Sequence, residues 1–144
     1  MSSSGLDSVR EEVTRQLSTA LAASIYSDIA VWYPNRPIVQ KDGTIWIRLT
    51  FIGGDGIQAN LGPTAVERFV GIIQMEVVFP ESSGTKKAND ITDFLGKLFS
   101  RKQFYSDANN RVTCKVPKFM MINGVVDGTM RNIARVAYRR DECI

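Results

Sequence analysis

The chain has 144 residues, 44% of them hydrophobic, a net charge of +3 at pH 7, and no histidine. A chain of this length can bury a core without disulfides or metals, and its ordinary hydrophobic content argues against global disorder. The absence of histidine excludes His-based catalytic triads and most zinc sites.

The sequence predicts one soluble domain over residues 1–144, with flexible ends at residues 1–5 and 141–144. No apolar run reaches the roughly 18 residues of a membrane-spanning helix. The first residues are polar and do not resemble a secretion signal. We therefore expect a protein that is made and kept in a cytoplasm.

Charge is unevenly distributed along the chain. Residues 101–144 contain nine basic and four acidic residues, whereas residues 1–100 contain nine basic and eleven acidic ones. Such asymmetry suits complementary contacts with neighbouring proteins, or a basic face for nucleic acid. Scattered, solvated charges are the alternative interpretation.

The first predicted element is an amphipathic helix that ends near Ser24. Asp7 or Ser8 can cap its start, and Glu11 and Glu12 lie in the first turn, where carboxylates complement the helix dipole. Apolar residues then recur at intervals of three and four, which is the period of a helix face. They are Leu6, Val9, Val13, Leu17, Ala20 and Leu21.

Two strands and a loop are expected next. Residues 29–33 read as a short strand, and residues 45–51 alternate between apolar and polar side chains, which predicts a strand with one face on the core. The core face would carry Ile45, Ile47, Leu49 and Phe51, and the other face Trp46, Arg48 and Thr50. Residues 53–63 contain four glycines and no periodicity, so we expect a long mobile loop. A phosphate-binding loop is disfavoured, because a strand and not a helix follows it.

A long strand and a second helix come after the loop. The strand covers residues 66–79, well beyond the usual five or six residues, and has apolar side chains on both faces, so part of it should lie beyond its own core. The helix follows the break at residues 80–84. Its apolar side is formed by Ala88, Ile91, Phe94, Leu95, Leu98 and Phe99.

The last third of the chain is predicted as a turn at residues 104–110 and two strands. The first strand, residues 112–116, continues past Pro117 to residue 122, and the second covers residues 130–138. Cys114 should be a buried free thiol, since a disulfide to Cys143 would need an oxidising compartment. The whole pattern predicts an α+β fold, with a mainly antiparallel sheet of about five strands and two helices packed on one face.

No residue set predicts a reaction, a cofactor site or a metal site, so we do not expect an enzyme. Asp90 and Asp93 on the second helix are interpreted as solvated surface. Trp46 and Arg48 share a strand face and could bind RNA, but the glycine-aromatic signature strand of RNA-binding sheets is absent. A small nucleic-acid-binding module therefore remains an alternative.

Several segments, in this order and spacing, resemble the tail terminator proteins of long-tailed, siphovirus-type bacteriophages, the group that includes the lambdoid minor tail protein U. The resemblance extends from Asp7 to Arg140 and begins with the opening helix. The other segments that carry it are residues 34–37 before 46–51, residues 68–80, Gly84 with the helix ending at residues 98–99, residues 116–117, and residues 135–139.

The resemblance implies a structural virion protein, assembled in the host cytoplasm, that forms a homo-oligomeric ring, typically a hexamer. Such a ring caps the head-proximal end of the tail tube, stops tube polymerisation and presents a joining surface to the neck. The implied partners are the tail tube protein and a neck or head-completion protein, with no small-molecule substrate, no cofactor and no membrane. Another ring-forming tube or neck subunit is the alternative.

The candidate partner-binding residues lie mainly in the predicted glycine-rich loop. We expect that loop to be mobile in a free subunit and ordered on assembly, when its apolar side chains could insert into a neighbour or the tube. The candidates are Gly53, Gly54, Asp55, Gly56, Ile57, Gln58, Asn60 and Leu61, with Arg48 and Arg68 on the flanking strands.

Overall fold

A computed structural model describes residues 5–33, 44–58, 66–80, 85–108, 110–126 and 129–143. These parts of the chain form two helices and seven strands. In chain order they are α1 (Gly5–Ala22), β1 (Ala30–Trp32), β2 (Trp46–Gln58), β3 (Val66–Pro80), α2 (Lys86–Phe99), β4 (Gln103–Asp107), β5 (Asn110–Cys114), β6 (Lys118–Val126) and β7 (Thr129–Cys143).

The strands form one mixed sheet with the order β1-β2-β3-β7-β5-β4, in which β6 also pairs with β7. The pairing of β1 with β2 is parallel, and the other five described pairings are antiparallel. β3 and β7 form the centre, because their ladder runs without a shift from Val66↔Cys143 to Pro80↔Thr129. Residues 141–143, expected in a flexible end, thus belong to β7.

Alternation along the strands divides the sheet into two faces, since successive side chains point to opposite sides. On the face that we call the helix face, Ile47, Ile73 and Val136 are fully buried. Buried side chains of both helices belong to the same apolar cluster, so α1 and α2 pack on this face. They are Val9, Val13, Leu17 and Leu21 of α1 and Ala88, Ile91, Leu95 and Phe99 of α2.

Both predicted helices and the predicted α+β class are confirmed. The assignment of Asp7 or Ser8 as a cap is wrong, because α1 begins at Gly5 and includes both. Ser8 is instead buried, and its hydroxyl donates a hydrogen bond to Ser106 Oγ at 3.0 Å. No helix in the described ranges is long and apolar enough to cross a membrane.

The prediction of about five strands is corrected to seven in the described ranges. Residues 103–107 form β4 where a turn was expected, since the polar run of residues 106–110 hides a short hairpin in which Asp107 pairs with Asn110. Pro117 divides the expected single strand into β5 and β6, because proline has no N–H for the ladder. Both nevertheless follow the same edge of β7.

The predicted long loop at residues 53–63 is also corrected. Residues 53–58 belong to β2 and pair with β3 as far as Gln58↔Glu67, whereas residues 59–63 lie outside the described residues. The register shifts between Gly53 and Gly56, which identifies a β-bulge. Glycine in a strand commonly marks a bulge, so the feature that suggested a loop instead accommodates an irregular ladder.

Candidate functional site: the open face of the sheet

The sheet face opposite the two helices is the candidate site, and we call it the open face. Alternation and register place side chains of β1, β2, β3 and β7 on it. They include Trp32, Trp46, Arg48, Thr50, Ile52, Val70, Gln74, Glu76, Arg131, Arg135 and Arg139. The face is rich in arginine, yet it also exposes large apolar side chains, namely Ile52 (40%) and Val70 (45%).

At one end of the open face lies a groove of about 350 Å³ between β2, β3 and β7, which we call the basic groove. Val70, Ile72 and Ala137 contribute apolar surface to its lining. No carboxylate is among the described lining residues of the groove. Three cationic side chains line it, namely Arg68, Lys115 and Arg139. This combination favours a ligand surface that is both acidic and apolar.

Asp141 anchors the cations beside the basic groove. Arg68 Nε donates a hydrogen bond to its Oδ1 at 2.8 Å, and Arg111 and Arg139 approach its Oδ2 at 3.6 and 3.8 Å. Burial raises the pKa of Asp141, but the hydrogen bond from Arg68 and the charges of Arg68, Arg139 and Arg111 outweigh it and hold that pKa below its ordinary value. One carboxylate thus meets three guanidinium groups, and the cluster keeps a net positive charge.

The middle of the open face carries a connected set of polar side chains. Arg135 Nε donates to Gln74 Oε1 at 2.8 Å, and Gln74 Nε2 donates to Glu76 Oε1 at 3.0 Å. Arg131 Nη1 lies 3.9 Å from Glu76 Oε2. Because Gln74 and Glu76 are both buried, this set fixes the Arg135 side chain on the face.

At the β1 edge, an arginine stacks on tryptophan. The guanidinium of Arg48 lies 4.5 Å from the Trp32 ring centroid, and the Trp32 and Trp46 ring centroids are 6.0 Å apart. Arginine over an indole face is a favourable cation–π arrangement. The prediction that Trp46 and Arg48 share a face is confirmed.

The structure brings together two of the predicted partner-binding residues, since Gly53 and Arg68 both line the basic groove. Arg48 lies apart from them, because its cross-strand partner in the ladder is Glu76. Glu76 is eight residues from Arg68 along β3, a distance of roughly 26 Å at 3.3 Å per residue. The other candidates fall into two sets. Gly54, Asp55, Gly56, Ile57 and Gln58 lie in β2 near the bulge, and Asn60 and Leu61 lie outside the described residues.

Sequence reasoning missed Val70, Lys115, Arg139 and Asp141 as members of this site. Two signals pointed to them: the basic excess of residues 101–144, and the apolar residues on both faces of the strand at residues 66–79. What the sequence lacked was the β3–β7 register, which places Arg68 opposite Asp141 and Val70 opposite Arg139.

Within the described ranges, no three carboxylate or thiol groups are grouped so as to hold a metal ion. Cys114 is free and buried, as predicted, and burial raises the pKa of its thiol to about 11. The thiol is therefore protonated at neutral pH and is a poor nucleophile there.

The fold of this chain is similar to that of a solved structure. A solved structure whose title states no function superposes with a TM-score of 0.73, covering 94% of this chain and 94% of its own, at 17% sequence identity. At that identity the likeness shows the fold alone. No curated protein sequence matches the chain significantly.

A protein-family model, described as phage tail terminator protein, matches residues 8–132. The match extends from α1 into β7 and so includes most of the described fold. The resemblance seen in the sequence is thereby confirmed, and the protein is a structural component of the phage tail. The chain belongs to the phage tail terminator family.

Proposed function

We propose that the protein forms a ring, most simply a hexamer, at the head-proximal end of the phage tail tube. The ring stops polymerisation of the tube and presents a joining surface to the neck or head-completion protein. The observation that carries this proposal is the family match over residues 8–132. The shape and charge of the open face support it independently, as follows.

A ring subunit needs two different surfaces that meet on neighbouring copies, because a heterologous interface that closes gives cyclic symmetry. The sheet supplies one candidate surface. Val70 and Ile52 are exposed and line the same groove as Arg68 and Arg139, and exposed apolar side chains framed by polar ones commonly mark protein contacts. The other face of β3 packs in the core, where Ile73, Met75 and Val77 are fully buried.

The β2–β3 hairpin end remains our proposed contact with the tube. Its bulge between Gly53 and Gly56 and its position at one end of the sheet suit a segment that docks on a partner. We expect Ile57 and Leu61 to supply its apolar contacts. Replacing both with serine should leave the fold intact and yield tails of uncontrolled length or tails that do not join heads.

The genetic test uses a phage in which the gene for this chain is interrupted, examined by electron microscopy. We expect tails of variable, excessive length and heads without tails, and both defects should be corrected when the wild-type chain is supplied. Tails of normal, uniform length attached to heads in the interrupted phage would contradict the proposal. The Ile57→Ser/Leu61→Ser chain, supplied in the same way, tests the hairpin separately.

A nucleic-acid-binding function is the second candidate, and the arginine-rich open face favours it. Arg131, Arg135 and Arg139 lie four positions apart on the open face of β7 and could contact phosphates. Fluorescence anisotropy with a labelled DNA duplex separates the two functions. Binding whose affinity falls steeply with salt, lost on Arg135→Ala/Arg139→Ala, would support this candidate, and absence of binding at low salt would remove it.

A further inference from the structure

A second surface of the chain carries carboxylates, which are absent from the described lining of the basic groove. It lies where α2 meets the turn after α1, around a hollow of about 540 Å³, and we call it the helix-side patch. Its described lining combines aromatic, aliphatic and acidic side chains: Tyr26, Asp90, Asp93, Phe94, Lys97 and Leu98. The adjoining Ile25 is 85% exposed, so the patch offers apolar surface as well as charge.

The helix-side patch is held in a fixed shape. The rings of Tyr26 and Phe94 meet edge to face with centroids 5.4 Å apart, which ties the turn to α2. Asp93 forms an ion pair with Lys97 at 2.9 Å, one turn along the helix, and Asp90 is exposed on the same side. Two carboxylates against one ammonium give the described lining of the patch a net charge of −1.

We propose that the helix-side patch of one subunit docks into the basic groove of the next subunit in the ring, an inference that rests on the proposed function. The two surfaces are complementary in sign and both include apolar side chains. Val70 and Ile52 would meet Phe94 and Leu98, while the carboxylates of the patch approach Lys115 and the half-buried arginines of the groove. Complementary charge fixes the register of such an interface, and the apolar contacts contribute most of its affinity.

The placement of the two surfaces matches what a ring requires. The basic groove is on the open face, whereas α2 lies on the helix face. One subunit can therefore donate its patch and receive a neighbour's patch at the same time. The groove is also held rigidly, since β3 and β7 pair without a shift and Arg68 is fixed by Asp141.

Charge disfavours the symmetric alternatives. Packing groove against groove would bring the Arg68, Lys115 and Arg139 side chains of two copies together, and packing patch against patch would bring carboxylates together. Like charges placed face to face suppress an interface. The two surfaces therefore favour head-to-tail contact between copies of this chain.

The test uses two variants of the chain, each with only one of the two surfaces altered. In the patch variant, Asp90→Lys/Asp93→Lys reverses the charge of exposed helix positions. In the groove variant, Val70→Gln/Ile52→Gln replaces the two exposed apolar side chains with polar ones and adds no charge. The lysine-bearing patch is repelled by the cations of the groove in either chain, so a mixture of the two variants retains one productive pairing, between the intact patch of the groove variant and the intact groove of the patch variant.

Sedimentation velocity and native mass spectrometry then report the assembly state. Where the wild-type chain assembles, each variant alone should stay at the 16.0 kDa monomer mass, and an equimolar mixture should stop at the dimer, twice 16.0 kDa. Glu11→Lys, an exposed charge reversal on α1, is the matched control and should assemble like wild type. Circular dichroism and melting temperature verify that every variant is folded.

Three results would overturn the inference. If either folded variant still forms the full ring, the interface lies elsewhere, although the ring itself stands. A mixture that stays monomeric, or that grows beyond a dimer, likewise rejects the pairing of these two surfaces. A wild-type chain that stays monomeric at every concentration would contradict both this inference and the proposed ring.

Discussion

The ring of Tyr138 lies directly over Gly71, its partner across the β3–β7 ladder. A Cβ added to Gly71 would come within 2.6 Å of the Tyr138 hydroxyl oxygen and 2.7 Å of the ring carbon that bears it. Tyr138 is 5% exposed, so the glycine makes room for an aromatic side chain of the core. An aromatic side chain laid over a cross-strand glycine is a known means of pinning strand register.

Gly71→Ala should therefore destabilise the protein, by about 1–3 kcal/mol, because overpacking forces the Tyr138 ring to move. The free energy of unfolding in urea measures the cost. On a Tyr138→Ala background the same substitution should be close to neutral, since the obstructing ring is gone. Equal costs of Gly71→Ala in both backgrounds would show that the ring contact does not explain the glycine.

Leu95→Ala should cost about 2–5 kcal/mol, because it leaves a cavity where α2 packs on the sheet. Leu95 is 0% exposed within the core cluster, as the spacing of Ile91, Leu95 and Leu98 predicted. Leu98 is half-buried at the edge of that cluster, and Leu98→Ala should cost less. Thermal unfolding of both variants checks the order, and an unchanged melting temperature for Leu95→Ala would contradict the packing.

Asp141→Asn should destabilise the fold by about 1.5–3 kcal/mol at neutral pH, the range for hydrogen bonds to charged groups. Since burial of Asp141 is outweighed by Arg68 and the neighbouring arginines, its pKa in the folded state is lowered. A lowered folded pKa stabilises the fold above the unfolded pKa, and this stabilisation is lost as pH falls through the folded pKa.

Urea unfolding of the wild-type and Asp141→Asn chains across a pH series tests this linkage. The difference in stability should be constant near neutrality and shrink below about pH 4, where the carboxylate becomes protonated in the unfolded chain. Asp93→Asn is the control, because the Asp93–Lys97 pair is exposed and should contribute little at any pH. A pH-independent difference for Asp141→Asn would exclude the proposed charge interaction.

Cys114 should resist thiol reagents in the folded protein. Its side chain is 3% exposed, and burial raises the pKa of the thiol to about 11, so little thiolate forms at neutral pH. In a Cys143→Ser chain, which leaves one thiol, modification by a chromogenic disulfide should be slow in buffer and rapid in urea. Rapid modification of the folded chain would show that Cys114 is accessible.

The regular elements were predictable where apolar residues recur with a clear period. The three- and four-residue spacing of α2 and the alternation at residues 45–51 each identified a buried face, and Ile91, Leu95, Ile47 and Leu49 are buried accordingly. β4 was missed because its five residues are followed directly by turn-forming residues. The glycines of residues 53–58 predict a loop, although the segment is a strand, because glycine is as typical of a turn as of a bulged strand.

The site was harder to predict than the fold because it depends on register between distant segments. Arg68 and Asp141 are 73 positions apart and meet through the β3–β7 ladder, and nothing local to either residue indicates the other. The basic excess of residues 101–144 was visible in composition. The placement of Arg131, Arg135 and Arg139 on one sheet face follows from alternation along β7, once the faces are known.

Native mass spectrometry of the purified wild-type chain over a range of concentrations decides whether this chain closes into a ring through head-to-tail contacts. We predict a discrete closed species at an integer multiple of 16.0 kDa, most simply six copies, without a continuous ladder of larger masses. A strict monomer at every concentration, or an open series of ever larger oligomers, would contradict the account.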